Sequence, residues 1–138
     1  MTVGFIVNID VPDLDAATAF YCDALGLARG RRFAGTVEMV GGPTPIYLLE
    51  SKGGSTAFSG GDAQRNYDRH WTPVHLDFVT SDIDAAVERA VAAGAMLERP
   101  ARSDRWGKIA LLADPFGNGF CLIQFLGCGY DEIAEPAE

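Results

Sequence analysis

The chain repeats one short segment at an interval of half its length. Residues 13–17 read DLDAA and residues 82–86 read DIDAA, and each copy opens a helical segment that ends near a glycine, Gly26 or Gly94. An internal repeat restricts the fold more than any single motif does, because both halves must form the same arrangement of elements. The repeat therefore predicts two modules of one architecture within 138 residues.

Apolar residues alternate with other residues before each helix, over residues 3–11 in the first half and 74–78 in the second. This period of two is typical of a half-buried β-strand. Three shorter strand-like runs follow each helix, at about 28–34, 36–41, 45–50, 96–102, 107–113 and 119–126. Turn residues separate these runs. Each half therefore reads β-α-β-β-β, which predicts an α+β fold.

The composition of the chain between the halves indicates how it is divided. Residues 51–71 are rich in glycine, serine and charged residues. This composition is typical of loops that connect two folded segments. We therefore expect a single domain over 1–138. Its predicted parts are a first module at about 3–52, a linker at about 53–71, a second module at about 72–126 and an acidic C-terminal tail at 127–138.

The charge balance argues against two classes of partner. Eleven basic and nineteen acidic residues give a net charge of −8, so the average field repels phosphate backbones and anionic lipids and favours a cationic ligand. No apolar run approaches the roughly 20 residues that cross a bilayer, and the N-terminus lacks the basic start of a signal peptide. We expect a cytoplasmic protein with no nucleic-acid or membrane partner.

Six short segments in the two halves match one known family. They are 11–15 (VPDLD), 20–21 (FY), 25–27 (LGL), 75–78 (HLDF), 82–86 (DIDAA) and 114–118 (DPFGN). In this combination the chain resembles the vicinal oxygen chelate superfamily, which includes glyoxalases, bleomycin resistance proteins and extradiol dioxygenases. The resemblance implies that two βαβββ modules form a curved mixed-sheet cup with the helices outside and a ligand or metal inside. It also implies a homodimer.

The strand alternation predicts which side chains line this cup. If Val7 and Ile9 face the helix, then Ile6 and Asn8 face the other way. The repeat aligns Ile6 with His75 and Asn8 with Asp77. From periodicity alone this face is either exposed to solvent or directed into a cavity; the resemblance favours the cavity.

The resemblance also implies where a metal would be bound. Metal-dependent members usually place His, Gln or Glu at the inward position of each first strand and Glu on each last strand. The corresponding residues here are Ile6, His75, Tyr47 and Cys121. Only His75 matches, and isoleucine has no donor atom. We therefore expect no cofactor, while a divalent metal bound by His75 and Cys121, with Asp77 nearby, stays an alternative because thiolate and imidazole are good zinc donors.

These observations lead to three hypotheses about function. The first is a metal-free protein that binds a small organic molecule, with resistance-type sequestration as its role. The predicted ligand-binding residues are Asn8, Tyr47, His75, Asp77, Trp106 and Cys121. The second is a lyase, isomerase or dioxygenase that uses His75 with nonstandard metal ligands, or His75 and Asp77 as an acid–base pair. The third is a structural or partner-binding module. Whether the protein is an enzyme stays open at this point.

Overall fold

The chain folds into two compact units, of which the first ends at Asp68 and the second begins at Arg69. A computed structural model describes residues 2–137. Met1 and Glu138, the last residue of the predicted acidic tail, lie outside the described residues. Each unit contains one β-α-β-β-β series, so the predicted α+β fold with two modules is confirmed.

The first unit is a four-stranded mixed sheet with one helix. Its elements are β1 (Val7–Val11), α1 (Leu14–Leu25), β2 (Ala28–Phe33), β3 (Thr36–Val40) and β4 (Ile46–Glu50). The strand order is β1-β4-β3-β2, with β1 and β4 parallel and the other pairs antiparallel. The first strand of the module is therefore paired with the last.

The second unit repeats this topology. Its elements are β5 (Leu76–Val79), α2 (Ile83–Ala92), β6 (Met96–Asp104), β7 (Gly107–Ala113) and β8 (Gly119–Phe125). The order is β5-β8-β7-β6, again with a parallel pair of first and last strands. A short 3₁₀-helix, Gly129–Glu132, lies in the C-terminal tail.

The repeated aspartates begin both helices. Asp13 Oδ1 accepts a hydrogen bond from the Ala16 amide at 3.0 Å, and Asp82 Oδ1 accepts one from the Ala85 amide at 3.1 Å. Each carboxylate satisfies an amide that has no partner within its helix and interacts favourably with the positive end of the helix dipole. The first helix ends at Gly26, whose φ of 69° suits glycine. The repeat is thus explained in part by helix capping.

Each sheet has one face that packs on its own helix. In the first unit α1 contacts β3 and β4, and in the second α2 contacts all of the last three strands. The apolar residues that are at most 3% exposed include Val11, Leu14, Val37 and Leu48 in the first unit and Ile83, Ala90, Leu112 and Leu122 in the second. Each unit thus has an apolar cluster of its own.

The first strand is shorter than the alternation predicts. It begins at Val7, whose Cα partner is Ile46 at the start of β4. Pro45 precedes Ile46 and has no amide hydrogen to donate, so the parallel ladder ends there. Phe5 and Ile6 consequently lie outside the sheet and are 74% and 56% exposed.

Candidate functional site

Three predicted site residues come together on one face of the second sheet. His75 directly precedes β5 and Asp77 lies within it, while Cys121 is the Cα partner of Asp77 on β8. The ligand atoms of the three side chains lie within 4.8 Å of one another. His75 Nε2 is 3.2 Å from Asp77 Oδ1, and both side chains are about one-third exposed. Cys121 is buried.

The Asp77 carboxylate lies between an imidazole and a thiol. Burial raises the pKa of the Cys121 thiol to about 11, and the negative charge of Asp77 and a hydrogen bond to it act in the same direction. The charged thiolate is disfavoured in this environment. At neutral pH the Cys121 thiol is therefore protonated, and it lies next to the exposed side chains of His75 and Asp77.

A stack of side chains supports His75 from the preceding segment. The Trp71 and His75 rings lie 4.5 Å apart between centroids, with an interplanar angle of 36°. The Arg69 guanidinium carbon is 5.6 Å from the centroid of Trp71. Arg69 in turn forms two hydrogen bonds with Glu98, from Nε to Oε2 at 2.5 Å and from Nη2 to Oε1 at 2.6 Å. The indole is thus in contact with both the His75 ring and a guanidinium that Glu98 fixes.

Gly119 makes room for this stack. A Cβ atom at this position would lie 2.4 Å from Trp71 Cε3 and 2.8 Å from Arg69 Nη2. The absence of a side chain at the start of β8 allows the indole to approach the strand closely. Sequence reasoning did not identify Arg69, Glu98 or Gly119, because no periodicity connects a residue of the irregular linker with residues on two later strands.

The first unit holds two other predicted ligand-binding residues next to each other. Asn8 on β1 and Tyr47 on β4 are Cα partners in the parallel ladder. The Tyr47 hydroxyl donates to Glu38 Oε2 at 2.8 Å and accepts a hydrogen bond from Arg31 Nη2 at 2.9 Å. Tyr47 is therefore part of a charged network that includes two residues the sequence analysis missed.

Trp106 occupies another part of the second unit. Its ring lies 5.0 Å from that of Tyr130 and 6.2 Å from that of Phe125, between centroids. Phe125 is four residues beyond Cys121 on β8, which corresponds to roughly 13 Å along a strand. The structure thus brings together His75, Asp77 and Cys121 but places Trp106 in a separate aromatic cluster with the tail.

The donor atoms of the His75 cluster suit zinc in their chemistry. Imidazole nitrogen, carboxylate oxygen and thiolate sulfur are the three ligand types of protein zinc sites, and three protein donors leave one position open. Ligand atoms around tetrahedral zinc are roughly 3.3–3.8 Å apart, whereas the spread here reaches 4.8 Å. The three residues therefore fit the ion if one side chain moves by about 1 Å.

Comparisons with known proteins agree with the fold. A family model described as a glyoxalase-like domain matches residues 6–123. No curated protein matches the chain. Among the helices of residues 2–137, none has the length and the apolar character needed to cross a bilayer.

Solved structures with the same fold share little sequence with this chain. A fosfomycin resistance protein, FosX, from Listeria monocytogenes is 20% identical with a TM-score of 0.71, over 97% of this chain and 100% of that one. A glyoxalase/bleomycin resistance protein/dioxygenase family enzyme from Burkholderia phytofirmans is 23% identical with a TM-score of 0.67, over 88% and 97%. TioX from Micromonospora is 17% identical with a TM-score of 0.66, over 89% and 100%.

Proposed function

The chain belongs to the glyoxalase-like domain family, and from this membership we propose that it binds a small organic molecule on the polar face of its second sheet. The observation that carries the proposal is the exposed row formed by Trp71, His75 and Asp77, in which a flat ring stacks on an imidazole that is 3.2 Å from a carboxylate. Ligand sites typically combine apolar surface with a few fixed polar groups.

The side chains of this row are accessible and ordered by their neighbours. Trp71 is 50% exposed, and His75 and Asp77 are about one-third exposed. An indole face binds apolar or cationic groups, while the imidazole and carboxylate provide hydrogen bonds. The combination suits an aromatic or heterocyclic ligand that carries a hydrogen-bonding or basic group.

We propose that binding needs no divalent metal and that the role is sequestration of a toxic compound. Isoleucine at position 6 leaves the first-strand ligand position of the vicinal oxygen chelate superfamily without a donor. Two solved neighbours are described as a fosfomycin resistance protein and as a glyoxalase/bleomycin resistance protein/dioxygenase family enzyme. These descriptions support a resistance-type role. We further propose that the protein acts as a cytoplasmic homodimer.

A ligand screen on chelator-treated protein tests this function. The protein in EDTA is heated with a panel of aromatic and basic compounds that includes bleomycin, and separately with fosfomycin, which is a small anionic phosphonate. A ligand present at a hundredfold excess over its Kd stabilises the folded chain by about 2.7 kcal/mol, so a binder raises the melting temperature measurably. We expect at least one such compound.

Variants then locate the site. Trp71→Leu and His75→Ala should each weaken binding of that compound at least tenfold, measured by isothermal titration calorimetry. Val91→Ala, on the exposed side of α2, is the matched control and should bind as the wild type does. Absence of any binder, or binding that survives both site changes, would overturn the proposal.

The cluster of His75, Asp77 and Cys121 favours a second candidate, a lyase, isomerase or dioxygenase. These three residues would hold a zinc ion, which as a Lewis acid polarises a bound oxygen. Without an ion, His75 Nε2 and Asp77 Oδ1 remain a pair 3.2 Å apart, and two such groups can act as general acid and base on one ligand.

Metal analysis separates the two candidates. Protein purified without chelators is expected to contain no stoichiometric metal. One zinc per chain that is lost in both His75→Ala and Cys121→Ser would instead establish the metal-dependent enzyme as the better hypothesis. Turnover of a bound compound that Asp77→Asn alone abolishes in metal-free protein would establish acid–base catalysis.

A further inference from the structure

Arg31 of the first unit lies at an irregular point of an exposed, positively charged strand. Strand β2 reads ARGRRF, and all its residues are exposed. Its pairing with β3 shifts between Arg29 and Arg32, so Arg31 lies in a bulge of the ladder. The strand is therefore a local concentration of positive charge in a chain whose net charge is −8.

The buried carboxylate of Glu38 accepts hydrogen bonds from both the guanidinium and the backbone amide of Arg31. Glu38 Oε1 accepts hydrogen bonds from the Arg31 amide at 3.0 Å and from Nε at 3.2 Å, and Oε2 accepts one from Nη2 at 2.7 Å. The Glu38 side chain is 10% exposed. Its side-chain hydrogen bonds with Arg31 lower the Glu38 pKa to about 2, with the Arg31 amide and Tyr47 contributing further. The carboxylate is therefore ionised at neutral pH.

Tyr47 and Gly30 complete this arrangement. We call the contacts of Glu38 and Tyr47 with Arg31 the clamp. The Tyr47 hydroxyl accepts a hydrogen bond from Arg31 Nη2 at 2.9 Å. A Cβ atom on Gly30 would lie 2.4 Å from Glu38 Oε1, so the carboxylate reaches the Arg31 amide only because position 30 carries no side chain. Glycine in a strand commonly marks such a close approach.

The clamp uses one edge of the guanidinium and leaves the other available. Glu38 and Tyr47 accept from Nε and Nη2, and the Arg31 side chain is 72% exposed despite these contacts. An ion pair with so exposed a partner stabilises a protein little. What the arrangement does provide is a permanently charged, planar donor held in one orientation, which lowers the entropy cost of binding an oxyanion.

An apolar ring lies next to Tyr47, which is hydrogen-bonded to Arg31. Phe33 is 50% exposed, and its ring is 6.1 Å from that of Tyr47 between centroids, in an edge-to-face arrangement. Phe33 pairs with Thr36, two residues before Glu38 on β3. A ligand bound to the free edge of Arg31 can therefore place an apolar group against an aromatic ring.

We propose that Arg31, clamped by Glu38 and Tyr47, binds the oxyanion of a small organic acid, a carboxylate or a phosphonate, whose apolar part packs on Phe33. This site lies in the first unit and is independent of the function proposed for the second. The exposed guanidinium of Arg32 on the same strand lies 3.5 Å from the exposed carboxylate of Asp15, so it provides a matched control whose partner carboxylate is not buried.

Titrations of the full-length, ¹⁵N-labelled protein with benzoate, phenylphosphonate, inorganic phosphate and neutral benzamide test the proposal. Benzoate or phenylphosphonate should shift the Arg31 side-chain Nε–H and the Phe33 amide signals with a saturable, millimolar or tighter Kd. Benzamide should cause no saturable shift. Phosphate should bind at least threefold more weakly than phenylphosphonate because it lacks the apolar group.

Variants of the two arginines complete the experiment. Arg31→Ala should weaken binding of the better anion at least tenfold, and Arg31→Lys at least threefold because the planar fork is lost, whereas Arg32→Ala should change Kd less than twofold. Amide spectra of all three variants verify that the chain remains folded. Equal binding by wild type and both Arg31 variants, or equal losses from Arg31→Ala and Arg32→Ala, would overturn the proposed site.

Discussion

Replacing Gly119 with alanine tests whether the stack of Trp71 on His75 depends on the bare backbone of β8. The new Cβ would lie 2.4 Å from Trp71 Cε3 and 2.5 Å from Cζ3. Carbon atoms in van der Waals contact are about 3.5–4.0 Å apart, so the indole must move by about 1 Å or more. Because Trp71 is half exposed, it can move towards solvent without disturbing the core.

The expected loss of stability is therefore small and can be attributed to particular contacts. Moving the indole removes an aromatic contact with His75 and a cation–π contact with Arg69, which together stabilise the fold by about 1 kcal/mol. Gly107→Ala is the matched control. Its Cβ would lie 2.3 Å from the backbone oxygen of Gln124, and backbone in the β7–β8 ladder cannot move aside, so we expect a loss of about 2–3 kcal/mol.

Urea unfolding of wild type, Gly119→Ala and Gly107→Ala measures the free energies of unfolding. NMR spectra of the His75 ring protons report the stack directly, since they should move downfield when the indole leaves. The reasoning is refuted if Gly119→Ala loses as much stability as Gly107→Ala. It is equally refuted if the His75 signals keep their wild-type positions in Gly119→Ala.

Three further predictions concern charges, caps and a thiol. The Glu38 pKa lies at about 2, below its ordinary value of 4.5, so the contribution of this carboxylate to stability, although small, is complete above pH 4.5 and is lost as the pH falls through 2. The difference in unfolding free energy between wild type and Glu38→Gln should therefore shrink over that range in urea titrations; a constant difference contradicts this. Asp13→Ala and Asp82→Ala should each lower the free energy of unfolding by about 1 kcal/mol. The two losses should add in the double variant, because each residue caps its own helix. The Cys121 pKa lies at about 11, so iodoacetamide at pH 8 should modify exposed Cys128 and leave Cys121 unmodified, as mass spectrometry would show; equal rates for both thiols would disprove it.

The order of elements could be predicted from the sequence because local signals agreed with the tertiary structure. The repeated segment predicts where both helices begin, and its aspartates cap them. The turn at residues 114–118 joins β7 and β8, and Asp114 Oδ1 accepts hydrogen bonds from the Phe116 and Asn118 amides. The alternation predicts too early a start for β1, because it continues through residues 3–6 although the partner strand begins only at Ile46.

The candidate site was only partly accessible to sequence reasoning. Period-two counting places His75 and Asp77 on one face, since they are separated by one residue in an extended segment. The same counting fails across a bulge, where one strand gains a residue relative to its partner. The shift between Arg29 and Arg32 therefore conceals the pairing of Arg31 with Glu38. The role of Gly30 is likewise visible only in three dimensions.

The parallel pairing of first and last strands affects how the chain folds during synthesis. In the first unit β1 has no sheet partner until the ribosome has made β4, and Ser51 then donates a backbone hydrogen bond to Val11 just beyond the ladder. The nascent first module must therefore keep its amino-terminal strand unpaired through most of its translation. Once Glu50 has emerged from the ribosome, β4 can pair with β1, and the first module can fold while the second is still being translated. A pause in elongation shortly after β4 would favour this order, and a slow passage through α1 would prolong exposure of an unpaired strand edge.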